Sequence, residues 1–386
     1  MCSEGVIDAP IHLTQTQLDD LRRLVLRNIS RDQILILTNI PDVPTSITSV
    51  LREVSRRHNV PLGSLRGQAT VLRELKLLDY SEPPVFKGAS LTALGEFVAD
   101  FTMEDELSLT GQIVHTRRGA RPFGELLKDL RKRVLQMVAE AGSGHLGASL
   151  SVVDILATLY FMKMQHDPRN PGWLDRDRLI LSKGHAAPAL YAVLCEAGYF
   201  EPEELLTLRK LGSRLQGHCD TAAPGVDVDT GSLGQGLSVA VGMALAAKMD
   251  KRGIRIYVVL GDGEIQEGQV WEAAMTAAHY GLDNIVAIVD RNRYQLTGDT
   301  ETVKGVEPIV GKWMSFGWNA VRVDGHDQFN ILDALEMCEH VKGRPSVLVA
   351  DTVKGRGVSF MEGNKYAKSI PSAEDLRRAL AELGRD

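Results

Sequence analysis

Beyond about residue 122 the chain alternates two kinds of apolar segment. Short runs, Leu179 to Ser182, Ile254 to Leu260, Ile285 to Val289, Ala320 to Val323 and Ser346 to Asp351, are apolar almost without a break, the pattern of strands buried on both faces. Between them apolar residues recur at helical spacing over Phe123 to Ala141, Ser149 to Met164, Ala186 to Glu196, Glu201 to Lys210, Gln235 to Lys248, Glu267 to Tyr280 and Gln328 to Val341. Such alternation predicts an α/β fold over residues 122–386, a doubly wound parallel sheet with helices on both faces. Met243 and Met249 read as ordinary helix packing.

The first hundred residues follow a different rhythm. Leu18, Leu21, Leu24 and Val25 keep helical spacing, and Pro41 and Pro44 end that block. Ser46 is placed to cap ITSVLREVSRRH, Asn59 to Gly63 breaks it, and Ser64 is placed to cap a further helix with Leu65, Ala69, Leu72 and Leu75 on one face. Tyr80 to Leu91, with Pro83, Pro84 and Gly88, reads as a short ribbon, and Thr92 to Phe101 is helical again. Residues 11–102 thus resemble a small winged-helix domain, followed by a linker over 103–121. From Arg22 to Lys76 there are ten Lys/Arg against four acids. That basicity suits phosphate contacts, with Ser64, Arg66 and Gln68 opening a recognition-like helix; a docking or dimerisation module with a solvated charged face is the alternative.

Composition narrows the class. With 386 residues there is ample material for one large domain and one small one, and a formal charge of -6 gives no overall basic field for nucleic acid. Four cysteines, Cys2, Cys195, Cys219 and Cys338, show no paired spacing and no zinc signature, which suits a reducing compartment. MCSEGVIDAP lacks the basic-then-apolar pattern of a leader, and no apolar run reads as a membrane span, so the expected location is cytoplasmic.

Candidate chemistry concentrates between Gly261 and Asn292. An apolar run ends in Gly-Asp-Gly, a helix-like segment follows, and a second apolar run ends in Asp-Arg-Asn. Loops leaving neighbouring parallel strands lie together at the carboxyl edge of a sheet, so Asp262 and Asn292 can converge although thirty positions apart. One carboxylate, one amide oxygen and main-chain carbonyls are the donors a hard cation takes beside phosphate oxygens, and Gly261 and Gly263 permit a tight turn close to a phosphate. A solitary acid at the end of a buried strand is costly unless it meets a cation or donors.

This stretch resembles the diphosphate- and magnesium-binding motif of thiamine diphosphate enzymes in its transketolase form. GSGHLG (142–147), SKGHAAPALY (182–191), QGHCD (216–220), TGSLGQGLSVAVGMALA (230–246) and DTVKGRGVSFME (351–362) stand in transketolase order, and the likeness runs from about Phe123 onward. The resemblance implies thiamine diphosphate with Mg2+, or Ca2+ or Mn2+, held by Asp262, Asn292 and the Tyr294 carbonyl. It implies cofactor contacts from His185, Gly231, Leu233, Asp262, Gly263, Glu264 and Asn292, and catalytic roles for His145, His185, His218 and Glu267, the last at a subunit interface. It also implies the diphosphate-binding subunit of a split transketolase, completed by a C-terminal subunit that supplies the pyrimidine-binding domain and its activating Glu, in a homodimer of heterodimers acting on sugars or sugar phosphates.

One segment departs from the family pattern. Split transketolases carry a Trp-His-Gly segment after the strand end; aligned on Pro371, Tyr366 and Ala367 stand where Trp and His are expected, with Lys365 or Lys368 as candidate replacements. Two further readings stay open from the sequence: transfer of another acyl-anion unit in a specialised pathway, and a winged-helix DNA-binding regulator whose cofactor domain is a sensor.

Overall fold

In the computed structural model residues 113–295, 298–363 and 370–384 are described, together with 33, 36–37, 40, 47–58, 65, 68–69, 72–73, 77–79 and 90–91. The chain divides into two units, residues 1–111 and 112–386. In the first, helix α1 (Ile47–His58) buries Val50, Leu51 and Val54. Leu65, Ala69 and Leu72 are buried at the predicted helical spacing; Leu75 lies outside the described residues. Strands β1 (Leu78–Asp79) and β2 (Ser90–Leu91) pair antiparallel, Leu78 opposite Leu91. Gln68, expected on a recognition-like helix, is helical and accepts from Gln33 Nε2 at 2.9 Å. Ser64 and Arg66 lie outside the described residues, and what is described is a helix, an apolar helical face and a ribbon, not a complete winged helix.

The second unit begins with a hairpin, β3 (Ile113–Thr116) and β4 (Gly119–Pro122), inside the stretch read as a linker. Val114 is buried in the main core, and Arg121 pairs with Asp129 at 2.8 Å, so these residues are part of the domain they precede. Thereafter come α2 (Phe123–Ala141), α3 (Leu146–Thr158), β5 (Arg178–Leu181), α4 (Ala187–Ala197), α5 (Gln235–Met249), β6 (Ile256–Gly261), α6 (Gly268–His279) and β7 (Ile285–Arg291). A small ribbon, β8 (Tyr294–Gln295) with β9 (Gly298–Asp299), leads into α7 (Thr300–Lys304) and α8 (Ile309–Ser315). The unit continues with β10 (Asn319–Asp324), α9 (Gln328–His340), β11 (Ser346–Asp351) and α10 (Ala373–Leu383).

The five long strands form one parallel sheet in the order β10-β11-β7-β6-β5. Alternate residues of each strand face opposite cores. Tyr257, Val259, Val286, Ile288, Leu348 and Ala350 pack toward α2, α3, α4 and α9, whereas Val258, Leu260, Ala287, Val289, Val347 and Val349 pack toward α5, α6 and α8. Both faces being covered is why the strands read as unbroken apolar runs.

Three local expectations change. The segment Glu201 to Lys210 is a short 3-10 turn over Pro202–Thr207, because Leu208 leaves helical geometry and Arg209 takes φ 61°. Met249 is 81% exposed rather than packed. The stretch Leu146–Lys163 is long and apolar enough to cross a membrane, yet 83% of it is buried inside this unit, so it is a core element.

Candidate active site

The carboxyl ends of β5, β6, β7 and β11 converge, and the loops leaving them enclose a cavity of about 390 Å³. Its wall holds every site residue predicted from the sequence: His145, His185, His218, Gly231, Leu233, Asp262, Gly263, Glu264, Glu267, Asn292 and Tyr294. Register explains the convergence, since Gly261 pairs with Asp290 across β6 and β7 and Asp262 N donates to Asp290 O at 3.3 Å.

Asp262 joins the two loops. Its Oδ1 accepts from Gly263 N at 2.8 Å, and its Oδ2 accepts from Arg293 N at 2.7 Å, Arg291 Nη1 at 2.9 Å and Thr300 Oγ1 at 3.4 Å. Burial raises its carboxyl and the Asp290 charge adds to that, while Arg291 and the Arg293 N–H pull it back. Gly263 has no room for a side chain, because a Cβ there would lie 2.9 Å from Gln295 Cβ.

Asn292 is oriented from behind. Its Nδ2 donates to Asp290 Oδ2 at 2.9 Å and its Oδ1 accepts from Tyr294 N at 3.1 Å, which fixes the polarity of the amide. Asp290 is fully buried and also accepts from Lys183, Ser151 and Thr352, with Lys183 Nζ reaching Ala148 O at 3.1 Å. Burial alone would raise that carboxyl; the Lys183 ammonium, with the Thr352 and Ser151 hydroxyls, outweighs it and holds Asp290 below its ordinary value.

Glu264 has both oxygens engaged. It accepts from Ser182 Oγ and from the backbone N–H of Gly234 (2.9 Å) and Gly261 (2.8 Å), so it pins three loops of the cavity together. Gly234, at φ 86°, stands where a Cβ would meet Glu267 Cβ at 2.9 Å, which seats Glu267 against the Gly231–Leu233 loop.

The three histidines form one wall. His145 lies 5.1 Å from His185 and 6.2 Å from His218 between ring centroids. Burial, with Lys183, His145, Lys354 and His218 adding to it, pushes His185 down to about 3, and burial with Arg209 lowers His218. Both are therefore neutral imidazoles near neutral pH, able to donate at one nitrogen and accept at the other.

The family described as "Transketolase, thiamine diphosphate binding domain" matches residues 124–386. The chain belongs to this family. A 6-deoxy-6-sulfo-D-fructose transketolase subunit of Clostridium sp. (strain MSTE9) is 46% identical over 259 residues, 67% of this chain and 94% of that relative. An apulose-4-phosphate transketolase subunit of Phocaeicola vulgatus is 43% identical, covering 66% of this chain and 90% of the relative. Among solved structures, transketolase from Leishmania mexicana superposes with a TM-score of 0.65 at 32% identity, over 68% of this chain and 41% of that one. The chain thus spans nearly the whole of the subunit-type relatives and about two fifths of the full-length solved transketolase.

In this transketolase domain the oxygen donors suit a hard cation beside a diphosphate: one carboxylate, one amide oxygen of fixed polarity and the Tyr294 carbonyl, all on the cavity wall. Among the described residues no group of three or more His, Cys, Asp or Glu is placed to hold a metal ion. Sequence reasoning did not single out Lys183, Lys354, Gln266 and Gln295, which also line the cavity. Both lysines sit inside quoted motifs just beyond strand ends, and that position at the carboxyl edge was the available signal. Residues 364–369, where Tyr366, Ala367, Lys365 and Lys368 stand, lie outside the described residues.

Proposed function

We propose that this chain is the cofactor-binding subunit of a split transketolase, transferring a two-carbon ketol unit from a ketose to an aldehyde together with a complementary C-terminal subunit. The observation that carries this reading is the hydrogen bond from Arg293 N to Asp262 Oδ2, 2.7 Å long, which draws the Gly-Asp-Gly loop and the Asn292 loop onto one cavity. Asp262, Asn292 and the Tyr294 carbonyl are the residues that would hold Mg2+, and through it the diphosphate, with Gly263 leaving the approach open. When bound, thiamine diphosphate supplies the nucleophilic carbon and the electron sink for moving the two-carbon unit.

The protein's own part is placement. His145, with the neutral His185 and His218, presents ring nitrogens to sugar hydroxyl and carbonyl oxygens, the role their shared wall permits. Fixed donors in a water-poor cavity stabilise developing charge without reorganising during reaction. Relatives named for a sulfonated and a phosphorylated sugar support a ketose with an anionic terminus as the substrate class.

The test is reconstitution. The full chain is mixed with the complementary subunit, thiamine diphosphate and Mg2+, and product is followed by mass spectrometry with isotopically labelled donor. Label appearing as a two-carbon extension of the aldehyde supports the reading. Cofactor binding without any transfer across phosphorylated and sulfonated ketoses contradicts it.

A further inference from the structure

Consecutive residues of β7 serve the two loop donors from opposite faces of the sheet, as side chains alternate along a strand. Asp290 meets Lys183 and Ser151 on one face and orients the Asn292 amide. Arg291 meets Asp262, Glu301 and Glu307 on the other, and is 2% exposed. Neither the motif reading nor the proposed chemistry gives this buried guanidinium a task.

Its effect follows from the lone pairs of Asp262, two on each carboxylate oxygen. Oδ2 meets three donors: Arg291 Nη1 at 2.9 Å, Arg293 N at 2.7 Å and Thr300 Oγ1 at 3.4 Å. Among the described residues Oδ1 meets one, Gly263 N at 2.8 Å. Oδ1 therefore keeps a lone pair for a further partner, and Oδ2 keeps none.

The guanidinium is itself fixed. Its Nη2 lies 2.8 Å from Glu301 Oε1 and its Nε 3.4 Å from Glu307 Oε1. Glu301 Oε1 also accepts from Val306 N at 3.2 Å, and Glu307 Oε2 from Ile309 N at 2.9 Å. Arg322 donates to Glu307 Oε1 at 2.9 Å and forks onto Asp351 at 2.7 and 3.1 Å, and Asp351 stands opposite Arg291 in the register of β7 with β11. Both carboxylates that steady Arg291 are thus tied down in turn, so its planar fork delivers one donor to one oxygen of Asp262.

We propose that Arg291 is a positioning residue for the divalent ion: by occupying Oδ2 of Asp262 it leaves Oδ1 as the carboxylate oxygen for the ion, and so fits the site to Mg2+ rather than Ca2+. This rests on the cofactor reading above. Mg2+ demands near-ideal octahedral geometry with few carboxylates beside phosphate oxygens and water, so it needs a carboxylate held in one orientation. Ca2+ accepts more oxygens in flexible geometry and binds a carboxylate through one oxygen or both, so it tolerates a ligand that turns. A group that holds a metal ligand from behind governs affinity almost as the ligand does.

Calorimetric titration of thiamine diphosphate into the chelator-treated full chain with its complementary subunit, over a series of Mg2+ and, separately, of Ca2+ concentrations, tests this. The readout is the concentration of each ion that half-restores binding. Arg291→Met leaves Glu301 and Glu307 at a half-exposed position where water solvates them, and Asp262 keeps Arg293 N and Thr300 Oγ1. The variant needs about 10- to 100-fold more Mg2+, whereas its need for Ca2+ changes by less than about 3-fold. Arg291→Lys, which keeps the charge and a donor for Oδ2, recovers part of the Mg2+ affinity. Should Arg291→Met not fold by circular dichroism, the double variant Glu301→Gln, Glu307→Gln, which frees the guanidinium to turn, is read for the same Mg2+-selective loss. An unchanged requirement for both ions overturns the proposal, and so does an equal rise for both, which marks a general loosening of the loops. A lower requirement for both overturns it too, since the guanidinium then acts only as a charge repelling the ion. Absence of ion-dependent thiamine diphosphate binding by the wild type defeats the cofactor reading itself, a result distinct from an unaffected variant.

Discussion

The backbone N–H of Arg293 reaches Asp262 Oδ2 at 2.7 Å, and Arg293 makes that bond from a left-handed conformation, φ 67°. One strained residue thereby ties the loop that carries Asn292 and Tyr294 to the Asp262 loop. A residue other than glycine held there costs roughly 1–2 kcal/mol, and a β-branched side chain is a genuine outlier in that region.

The first expectation follows from that geometry. Arg293→Gly keeps the backbone conformation and stays within about 1 kcal/mol of the wild type, because relieved strain offsets glycine's greater chain entropy. Arg293→Val cannot hold it comfortably and loses both stability and cofactor affinity. Thermal unfolding with and without thiamine diphosphate and Mg2+ checks the pair. Equal losses in Gly and Val variants point to the guanidinium rather than the backbone.

The second concerns the buried pair behind Asn292. Removing the carboxylate in Asp290→Ala strands the Lys183 ammonium in the interior, which costs about 3–5 kcal/mol. Urea denaturation of the two proteins measures the difference. A change below about 1 kcal/mol shows that Lys183 finds other solvation.

The third is a pH dependence. His185 sits at about 3 in the folded protein, against roughly 6.5 in an unfolded chain. Below about pH 6.5 the unfolded state binds the proton and the folded state does not, so this contribution is complete above that point and shrinks progressively toward pH 3. His185→Gln removes it. Between about pH 7 and pH 4 the wild type therefore loses more stability than the variant, and parallel curves in urea melts at each pH contradict this.

How far the sequence reaches depends on the range of the interaction involved. The strands β6, β7 and β11 announce themselves because both faces are buried, and Asp262 and Asn292 because they directly follow such strands. The hairpin at Ile113–Thr116 is hidden by charge, its Arg117 and Arg121 reading as linker although they pair with Glu201 and with Asp129 and Glu196 of the domain. Helix α10 has its signal in Ser372, whose Oγ accepts from Asp375 N, a capping pattern not used in the prediction. The Lys183–Asp290 pair and the Arg291 contact to Asp262 join residues far apart in sequence, and no local periodicity encodes such partners. Glu264, which matched a cofactor motif and lines the cavity, also has its oxygens on Ser182, Gly234 and Gly261, partners that only the assembled loops reveal.

The cavity's purpose is tested most directly by titrating thiamine diphosphate into the full chain with its complementary subunit, in Mg2+, for wild type and Asp262→Asn. The substitution keeps the shape and a partner for Arg291 and Arg293 but removes the anionic oxygen. Binding that requires the divalent ion and weakens by at least about 100-fold in the variant, with circular dichroism unchanged, is the expected result. Equal affinity in the two proteins would contradict the assignment of Asp262 as the residue that anchors the ion.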